Sequence, residues 1–267
     1  LPTLDLDYQP QVDFDIVVSM YDESTEDVQK VVSKLQSLPT LQSLSTRLLI
    51  YTKNDKTNVQ TLKDKTGASD VITRPNIGRE GETYLYHIIS NWDNLAKQTL
   101  FVQAHVHNSW EFFRRVRQFL TPETGMLSLG FSGNTCDCHS CGDRFGWTES
   151  AGVLEQVYQD VYHGECDELL LSYKGQFIAS AKRIRGVEKA VYERLDQALL
   201  DPESWMHQEE YLQERPDSMN APFFGFTLER LWSVLMQCSD LEIARNCPTL
   251  LSGWRTGGSV EDCQCLD

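Results

Sequence analysis

The stretch Phe14-Asp-Ile-Val-Val-Ser-Met20 is an almost unbroken apolar, β-branched run that ends in a polar turn. A run of this kind is typical of a strand buried on both faces of a parallel sheet. The residues after it place valines and a leucine at helical spacing, with Ser24 or Thr25 as the N-cap and Pro39 expected to end the helix. The chain therefore opens with a strand and an amphipathic helix.

The same alternation of strand and helix continues along the first half of the chain. The further predicted elements are strands at 47–52, 70–73 and 98–105 and a helix at 84–95. This order indicates a doubly wound, mostly parallel sheet, in which ligands bind beyond the carboxyl ends of the strands. We therefore expect the chemistry to lie near Asp22, Asn54 and His105.

The second half of the chain has a less regular pattern. Its predicted elements are a helix at 112–120, an irregular disulfide-stapled insertion at 121–150, a helix at 153–162, a strand at 175–181 and helices at 187–200 and 226–236. No internal repeat or linker interrupts the chain. We interpret residues 1–267 as one α/β domain whose sheet is flanked by helices.

Composition excludes several classes of protein. A chain of 267 residues with 40% hydrophobic and 10% aromatic residues can bury a core, so it is not disordered. The net charge of −15 opposes binding to nucleic acid, which needs clustered Lys and Arg. No apolar run reaches the roughly 18 residues of a transmembrane helix. A small-molecule substrate is the expected partner.

All eight cysteines lie in the second half, and none precedes Cys136. Their even number and their crowding in C-D-C-H-S-C and C-Q-C predict disulfides and a secreted or secretory-pathway location. A zinc knuckle that includes His139 is the alternative. No N-x-S/T sequon adds support for secretion.

Asn76-Ile-Gly78-Arg79-Glu80 brings charged residues to the start of a predicted helix. In a functional interpretation, Gly78 lets backbone amides approach an anion while Arg79 grips a phosphate or carboxylate. In a structural one, the segment is a capped helix start with Arg79 paired to Glu80 or Glu82. His87 either faces the same cleft or is a core histidine.

In Gln103-Ala-His105-Val-His107, strand alternation would send the three polar residues to one side. An H-x-H pair at a strand end suits zinc, copper or non-haem iron if a third ligand comes from elsewhere, and the alternative is two hydrogen-bonded histidines. The candidate third ligands are Asp22, Glu23, His163 and Glu229.

A late helix carries Glu229 and Arg230 beside its apolar face. Glu229 is a candidate general base for a substrate hydroxyl, or else part of an ion pair that orients the helix. The sequence has no G-x-S-x-G, Walker, H-E-x-x-H or G-x-G-x-x-G motif, so the corresponding hydrolase, nucleotide-triphosphate, zincin and dinucleotide functions lack their signals.

These segments resemble a fungal family of unknown function, whose hallmark is N-x-G-R-E-x-x-T-Y-L-x-H-I followed by an F-x-Q strand and an E-R-L-W helix. They stand here as Asn76–Ile88, Phe101–Gln103 and Glu229–Trp232, and the resemblance spans roughly residues 14 to 236. That family is similar in turn to the GT-A nucleotide-sugar glycosyltransferases, which implies a GT-A-like fold.

The GT-A resemblance implies a nucleotide-binding-like half at 14–108, an acceptor-like half at 109–252 and a disulfide-pinned tail at 253–267. It implies a nucleotide-sugar donor and a divalent metal. The expected substrate-binding residues are Asp22, Asn54, Asn76, Arg79, Glu80, His87, Gln103 and Arg230. His105 and His107 are the expected metal ligands and, with Glu229, the expected catalytic residues.

One departure from the GT-A pattern is at the metal motif. Gln103-Ala-His105 stands where such enzymes have D-x-D, whose carboxylates suit manganese or magnesium, whereas Gln and His suit softer metals or none. The leading hypothesis is a glycosyltransferase-like enzyme. The alternatives are a metal-dependent enzyme that uses the H-x-H pair on a small natural product, and a secreted binding module without catalysis.

Overall fold

A seven-stranded mixed sheet forms the centre of the computed structural model, which describes residues 1–130, 133–149, 151–251 and 257–267. The strands are β1 (Phe14–Met20), β2 (Thr46–Thr52), β3 (Asp70–Thr73), β4 (Gln98–Gln103), β5 (Thr124–Ser128), β6 (Thr135–Asp137), β7 (Cys141–Gly142), β8 (Thr148–Glu149), β9 (Glu168–Leu170), β10 (Phe177–Ser180) and β11 (Cys265–Leu266). Their order in the central sheet is β11-β5-β10-β4-β1-β2-β3, and β6 with β9 and β7 with β8 form two small antiparallel pairs.

Helices flank this sheet and connect its strands. They are α1 (Thr25–Gln36), α2 (Pro39–Gln42), α3 (Val59–Thr66), α4 (Arg79–Ser90), α5 (Ser109–Phe119), α6 (Val153–Tyr162), α7 (Ala181–Gly186), α8 (Lys189–Leu200), α9 (Glu209–Leu212), α10 (Phe224–Leu235), α11 (Leu241–Asn246) and α12 (Pro248–Leu251), with a 3-10 turn at Trp205–His207. Across the described ranges, no helix has both the length and the apolar character to cross a membrane.

The predicted α/β class with a largely parallel sheet is confirmed. β1 pairs in parallel with β2 and β4, and β2 with β3. Every residue of β1 is buried, as its apolar run predicts for a strand covered on both faces. The parallel direction brings the carboxyl ends of β1, β2 and β4 to one edge of the sheet, where the polar residues that follow them collect.

The structure corrects several predicted boundaries. The helix expected at 84–95 is α4, which begins earlier because Gly78 adopts a left-handed conformation (φ 68°) and serves as its N-cap. The strand expected to reach His105 ends at Gln103. Pro39 does not end α1, which stops at Gln36, but occupies the first turn of α2, where a missing N–H costs no hydrogen bond.

β5 is a strand within a stretch that we expected to be irregular. It is short, and Gly125 interrupts its apolar residues, so the sequence shows no continuous apolar run there. The glycine has a packing reason, because a Cβ atom there would lie 2.3 Å from Nε of Arg183 and 2.1 Å from Oδ1 of Asp267. β10 is antiparallel to β4, β5 is antiparallel to β10, and β11 is antiparallel to β5 at the edge, so this side of the sheet is not parallel.

All eight cysteines are paired, which confirms the disulfide prediction. The bonds are Cys136–Cys141, Cys138–Cys166, Cys238–Cys265 and Cys247–Cys263. The zinc-knuckle alternative is wrong for these residues, because its thiolates are consumed in disulfides while His139 lies 3.4 Å from a carboxylate oxygen of Glu155. Four disulfides fit an oxidising environment.

This pairing predicts the response of the protein to alkylation. Denatured but unreduced protein should take up no alkyl groups, whereas reduced protein should take up one on each of its eight cysteines, as measured by intact mass. Reduction should also destabilise the fold, by on the order of 2–5 kcal/mol for a native disulfide. Alkylation of the unreduced protein would contradict the pairing.

Candidate functional site

A cleft of about 210 Å³ lies at the carboxyl ends of β1, β2 and β4 and the start of α4. This strand-end cleft is lined by Ser19, Met20, Tyr21, Glu23, Lys53, Asn76, Arg79, Glu80, Gln103 and Asn220. Its position is the one at which open α/β sheets bind ligands.

Lys53 forms one wall of the strand-end cleft, although its side chain is only 3% exposed. Its ammonium lies 2.6 Å from Oε2 of the fully buried Glu82 and also donates to the carbonyl of Ile77. Arg74 binds the other oxygen of Glu82 through Nε at 3.1 Å. Burial lowers the pKa of Lys53, and the Glu82 carboxylate opposes that change. Two cations therefore share one buried carboxylate.

Arg79 lies at the first turn of α4 and faces the strand-end cleft. Both it and Gly78 have positive φ angles (53° and 68°), and a Cβ on Gly78 would come within 2.7 Å of Cβ of Glu82. Across the residues that the structure describes, Arg79 forms no ion pair, while Glu82 is taken by Lys53 and Arg74. Its guanidinium instead lies 4.7 Å from the ring centre of Phe226.

The surroundings of Arg79 favour an anion. The N-cap Gly78 offers no side-chain acceptor to the first amides of α4, and its own N–H donates to the carbonyl of Met219 at 2.8 Å. The start of a helix attracts negative charge through these amides and the helix dipole. Among the described residues no ion pair joins Arg79 to Glu80 or Glu82, but the charge of Arg79 acts on the neighbouring Glu80 and opposes the rise of its pKa.

Glu80 adds a carboxyl group to the same wall and is partly exposed. Burial raises its pKa, and the nearby Glu229 raises it further. The two carboxyl groups are thus close enough to influence each other electrostatically.

Gln103 and His107 meet beyond the end of β4, although the chain turns after Gln103 instead of continuing as a strand. Nε2 of His107 donates to Oε1 of Gln103 (3.2 Å), and Nε2 of Gln103 donates to the carbonyl of Lys174 (3.2 Å). The His107 backbone is fixed by Gln176, which it contacts at 2.7 and 3.1 Å. Burial lowers the pKa of His107, so this ring favours the neutral form.

His105 is exposed, and its ring centre lies 5.3 Å from that of His107. A metal needs further ligands, but the described part of the chain contains no group of three His, Cys, Asp or Glu residues that could hold one. Glu23 accepts a hydrogen bond from the backbone of Tyr21, and His163 is exposed at the end of α6. The donor set at the strand end therefore does not fit the metal that the GT-A resemblance implies, and we derive no step through a metal.

Glu229 projects from α10 and is partly exposed. The backbone N–H of Lys174 donates to its Oε1 at 3.1 Å, which fixes the carboxylate. The carbonyl of the same Lys174 accepts from Gln103, which lines the strand-end cleft, so Glu229 lies beside that cleft.

Two predicted substrate-binding residues lie in the core. His87 is fully buried, its Nδ1 lies 2.8 Å from the hydroxyl of Tyr51, and burial lowers its pKa to about 3. Arg230 is also buried and pairs with Asp143 at 2.7 Å. The structure therefore favours the core-histidine alternative for His87 and corrects the expectation for Arg230, since both side chains are buried and neither lines the strand-end cleft.

Asp22 and Asn54 follow β1 and β2 as predicted, but neither lines the strand-end cleft. Asp22 is exposed between two residues that do line it. Asn54 uses Oδ1 to accept from the N–H of Lys56, which closes a turn. Two further residues that line the cleft were not predicted: Lys53, whose signal in the sequence is its place directly after a buried strand, and Asn220, which has no local signal.

Residues 16–122 match the family described as "Protein of unknown function (DUF3431)". The chain is similar to this family over less than half of its length. The match contains the motif at Asn76–Ile88 and the Phe101–Gln103 strand, whereas the helix segment Glu229–Trp232 lies beyond it. It is therefore shorter than the span that the sequence motifs suggested. No curated protein matches the chain in sequence.

Two solved structures align with this chain at low similarity. A 4-diphosphocytidyl-2C-methyl-D-erythritol synthase aligns with a TM-score of 0.33 at 8% identity, over 70% of this chain and 86% of its own. The core-mannan synthase A of Aspergillus fumigatus, in its Mn/GDP form, aligns with a TM-score of 0.29 at 13% identity, over 81% of this chain and 69% of its own.

Proposed function

We propose that this protein is a glycosyltransferase-like enzyme that transfers a sugar from a nucleotide-sugar donor to an acceptor hydroxyl. The observation that carries the proposal is Arg79, which faces the strand-end cleft beside an uncapped helix start and forms no ion pair among the described residues. A guanidinium at such a place suits a phosphate group. The motif at Asn76–Ile88, through its resemblance to a fungal family similar to GT-A enzymes, supports the same assignment.

The cleft also suggests how the diphosphate would be held. The amides at the start of α4 would bind phosphate oxygens together with Arg79, while the buried Lys53 adds positive charge to the wall. Asn76 lines the cleft, and Asp22 and Asn54 stand at neighbouring strand ends, where the nucleoside would extend. The cations of the protein would thus stabilise the leaving diphosphate.

The other predicted site residues take roles on the acceptor side. Gln103 and His107 form one hydrogen-bonded unit at the place of the D-x-D motif, with His105 exposed beside it. In this proposal they bind sugar hydroxyls. Glu229, fixed by the Lys174 amide, is the proposed general base. The disulfides support a place in the secretory pathway or outside the cell.

The change Arg79→Ala tests the donor site. Loss of a charge-assisted contact should weaken binding of UDP or GDP by roughly 1.5–3 kcal/mol, measured by calorimetry, with little change in melting temperature. Arg117→Ala is the matched control, because Arg117 is an exposed arginine on α5 that does not line the cleft. Unchanged nucleotide affinity in Arg79→Ala, or no nucleotide binding by the unaltered protein, would contradict the proposal.

A further inference from the structure

Two exposed phenylalanine rings, Phe145 and Phe226, are linked by short contacts to the segments that hold the proposed base Glu229. Phe226 is 41% exposed and lies on α10 one turn before Glu229. Because residues three apart share a helix face, this ring and the carboxylate are neighbours. One side of the ring contacts the guanidinium of Arg79, which lines the strand-end cleft.

The second ring belongs to Phe145, which is 51% exposed at the tip of the β7–β8 hairpin. It packs edge-on against Tyr173, with ring centres 5.5 Å apart. The residue after Tyr173 is Lys174, whose N–H donates to Glu229. Phe145 is therefore connected to the same carboxylate through Tyr173 and Lys174.

This hairpin tip is held in place rather than free. Oδ1 of Asp143 accepts from the N–H of Phe145 at 2.9 Å, and its Oδ2 binds both the hydroxyl of Tyr173 and the guanidinium of Arg230. The hairpin is also tied by the disulfide that joins Cys141 to its neighbouring strand β6. A guanidinium lies against each ring, Arg79 on Phe226 and Arg144 on Phe145 at 5.1 Å from the ring centre, so both rings are held in place while part of their surface stays exposed.

We propose that Phe145 and Phe226, called here the aromatic platform, bind a neutral carbohydrate as the acceptor of the transfer. This inference rests on the proposed function and names its second substrate. Sugar rings present C–H groups that pack on aromatic faces, and their hydroxyls donate to carboxylates, so exposed rings connected to one carboxylate match that chemistry. The net charge of −15 disfavours an anionic polymer in the same place.

With the acceptor on the aromatic platform, every proton and bond in the proposed sugar transfer can be accounted for. An acceptor hydroxyl gives its proton to the carboxylate of Glu229 as its oxygen forms a bond to the anomeric carbon of the donor. The bond from that carbon to the diphosphate oxygen breaks, and the electron pair leaves with the nucleoside diphosphate beside Arg79. No oxidant, reductant or further reactant is needed.

Calorimetry with neutral oligosaccharides in the absence of donor tests the platform directly. The probes are manno-, gluco- and chito-oligosaccharides, with heparin as the anionic comparison. Phe145→Ala and Phe226→Ala should each weaken binding roughly tenfold, and Phe226→Tyr should restore it. Trp110→Ala is the control, because Trp110 is an exposed ring stacked on an arginine, Arg114, at another place.

UDP and GDP binding, measured in parallel, separates this inference from the donor proposal. Phe145→Ala should keep the nucleotide affinity, since Phe145 does not line the strand-end cleft. The platform is refuted, while the donor site stands, if no neutral oligosaccharide binds. The same holds if the protein that carries both Phe145→Ala and Phe226→Ala binds it as well as the unaltered protein. Oligosaccharide binding that depends on the platform without any nucleotide binding would support the platform as a carbohydrate site and refute the transferase.

Discussion

Replacing Glu82 by alanine should lower the free energy of unfolding by about 3–5 kcal/mol. Glu82 is fully buried and is the shared counter-ion of Lys53 and Arg74, whose side chains are 3% and 17% exposed. Without it, two cations would remain near each other in a site that water enters poorly. Breaking a buried ion pair by removing one partner costs this much because the other charge is left uncompensated.

Urea unfolding followed by circular dichroism measures this loss. The control is Glu193→Ala, because Glu193 pairs with Lys189 at 3.6 Å on the exposed face of α8 and its loss should leave the unfolding midpoint almost unchanged. Glu82→Ala should also weaken nucleotide binding, since Lys53 lines the strand-end cleft. A Glu82→Ala protein as stable as the control would show that the buried cluster does not hold this part of the fold together.

The parallel half of the sheet was predictable because its physical signal is local. Strands buried on both faces require continuous apolar runs, and β1 and β4 have them. The antiparallel direction of β10 was not predictable, since an apolar run such as Phe177–Ser180 suits either direction. The same holds for the cysteine pairing, which depends on where distant segments meet and not on their spacing along the chain.

In the candidate site, too, the features set by neighbouring residues were predictable from the sequence, whereas those set by contacts with distant residues were not. The position of Arg79 followed from its place after an N-x-G turn, and the cleft followed from the rule for open α/β sheets. By contrast, the burial of His87 and Arg230 depends on which face of α4 and α10 meets the core. The partner of Arg230, Asp143, is 87 residues away in the chain, so helical periodicity gave no sign of it.

Because the chain has no D-x-D carboxylate pair to hold a metal, other groups must neutralise the negative charge of the leaving diphosphate in the proposed reaction. In this chain, Gln103 and His107 are hydrogen-bonded to each other at that place. The positive side chains that line the strand-end cleft are instead Arg79 and Lys53. If these cations stabilise the leaving diphosphate, the proton of the acceptor hydroxyl still needs a base, and Glu229 is the carboxylate held beside them.

Replacing Glu229 by glutamine should therefore reduce the rate of sugar transfer by about 10²- to 10⁴-fold, the usual contribution of a general base. The amide oxygen of glutamine can still accept the hydrogen bond from the Lys174 N–H, so the local structure and the melting temperature should remain. Nucleotide affinity should also remain, because Glu229 does not line the strand-end cleft. The measurement is the turnover of each variant at saturating donor and acceptor.

A matched change separates proton transfer from electrostatics in this experiment. Glu80→Gln removes a carboxylate that lies close enough to Glu229 for Glu229 to raise its pKa, but leaves Glu229 itself in place. If Glu229 is the base, Glu80→Gln should retain most of the turnover, whereas Glu229→Gln should lose it. Equal losses in the two variants would mean that the negative charge of the pair matters and that neither carboxylate acts alone as the base.

Full turnover in Glu229→Gln would show that Glu229 is not the base of the reaction. The proton would then pass to another acceptor at the strand end. The next candidate is the ring of His107, which is neutral because burial lowers its pKa.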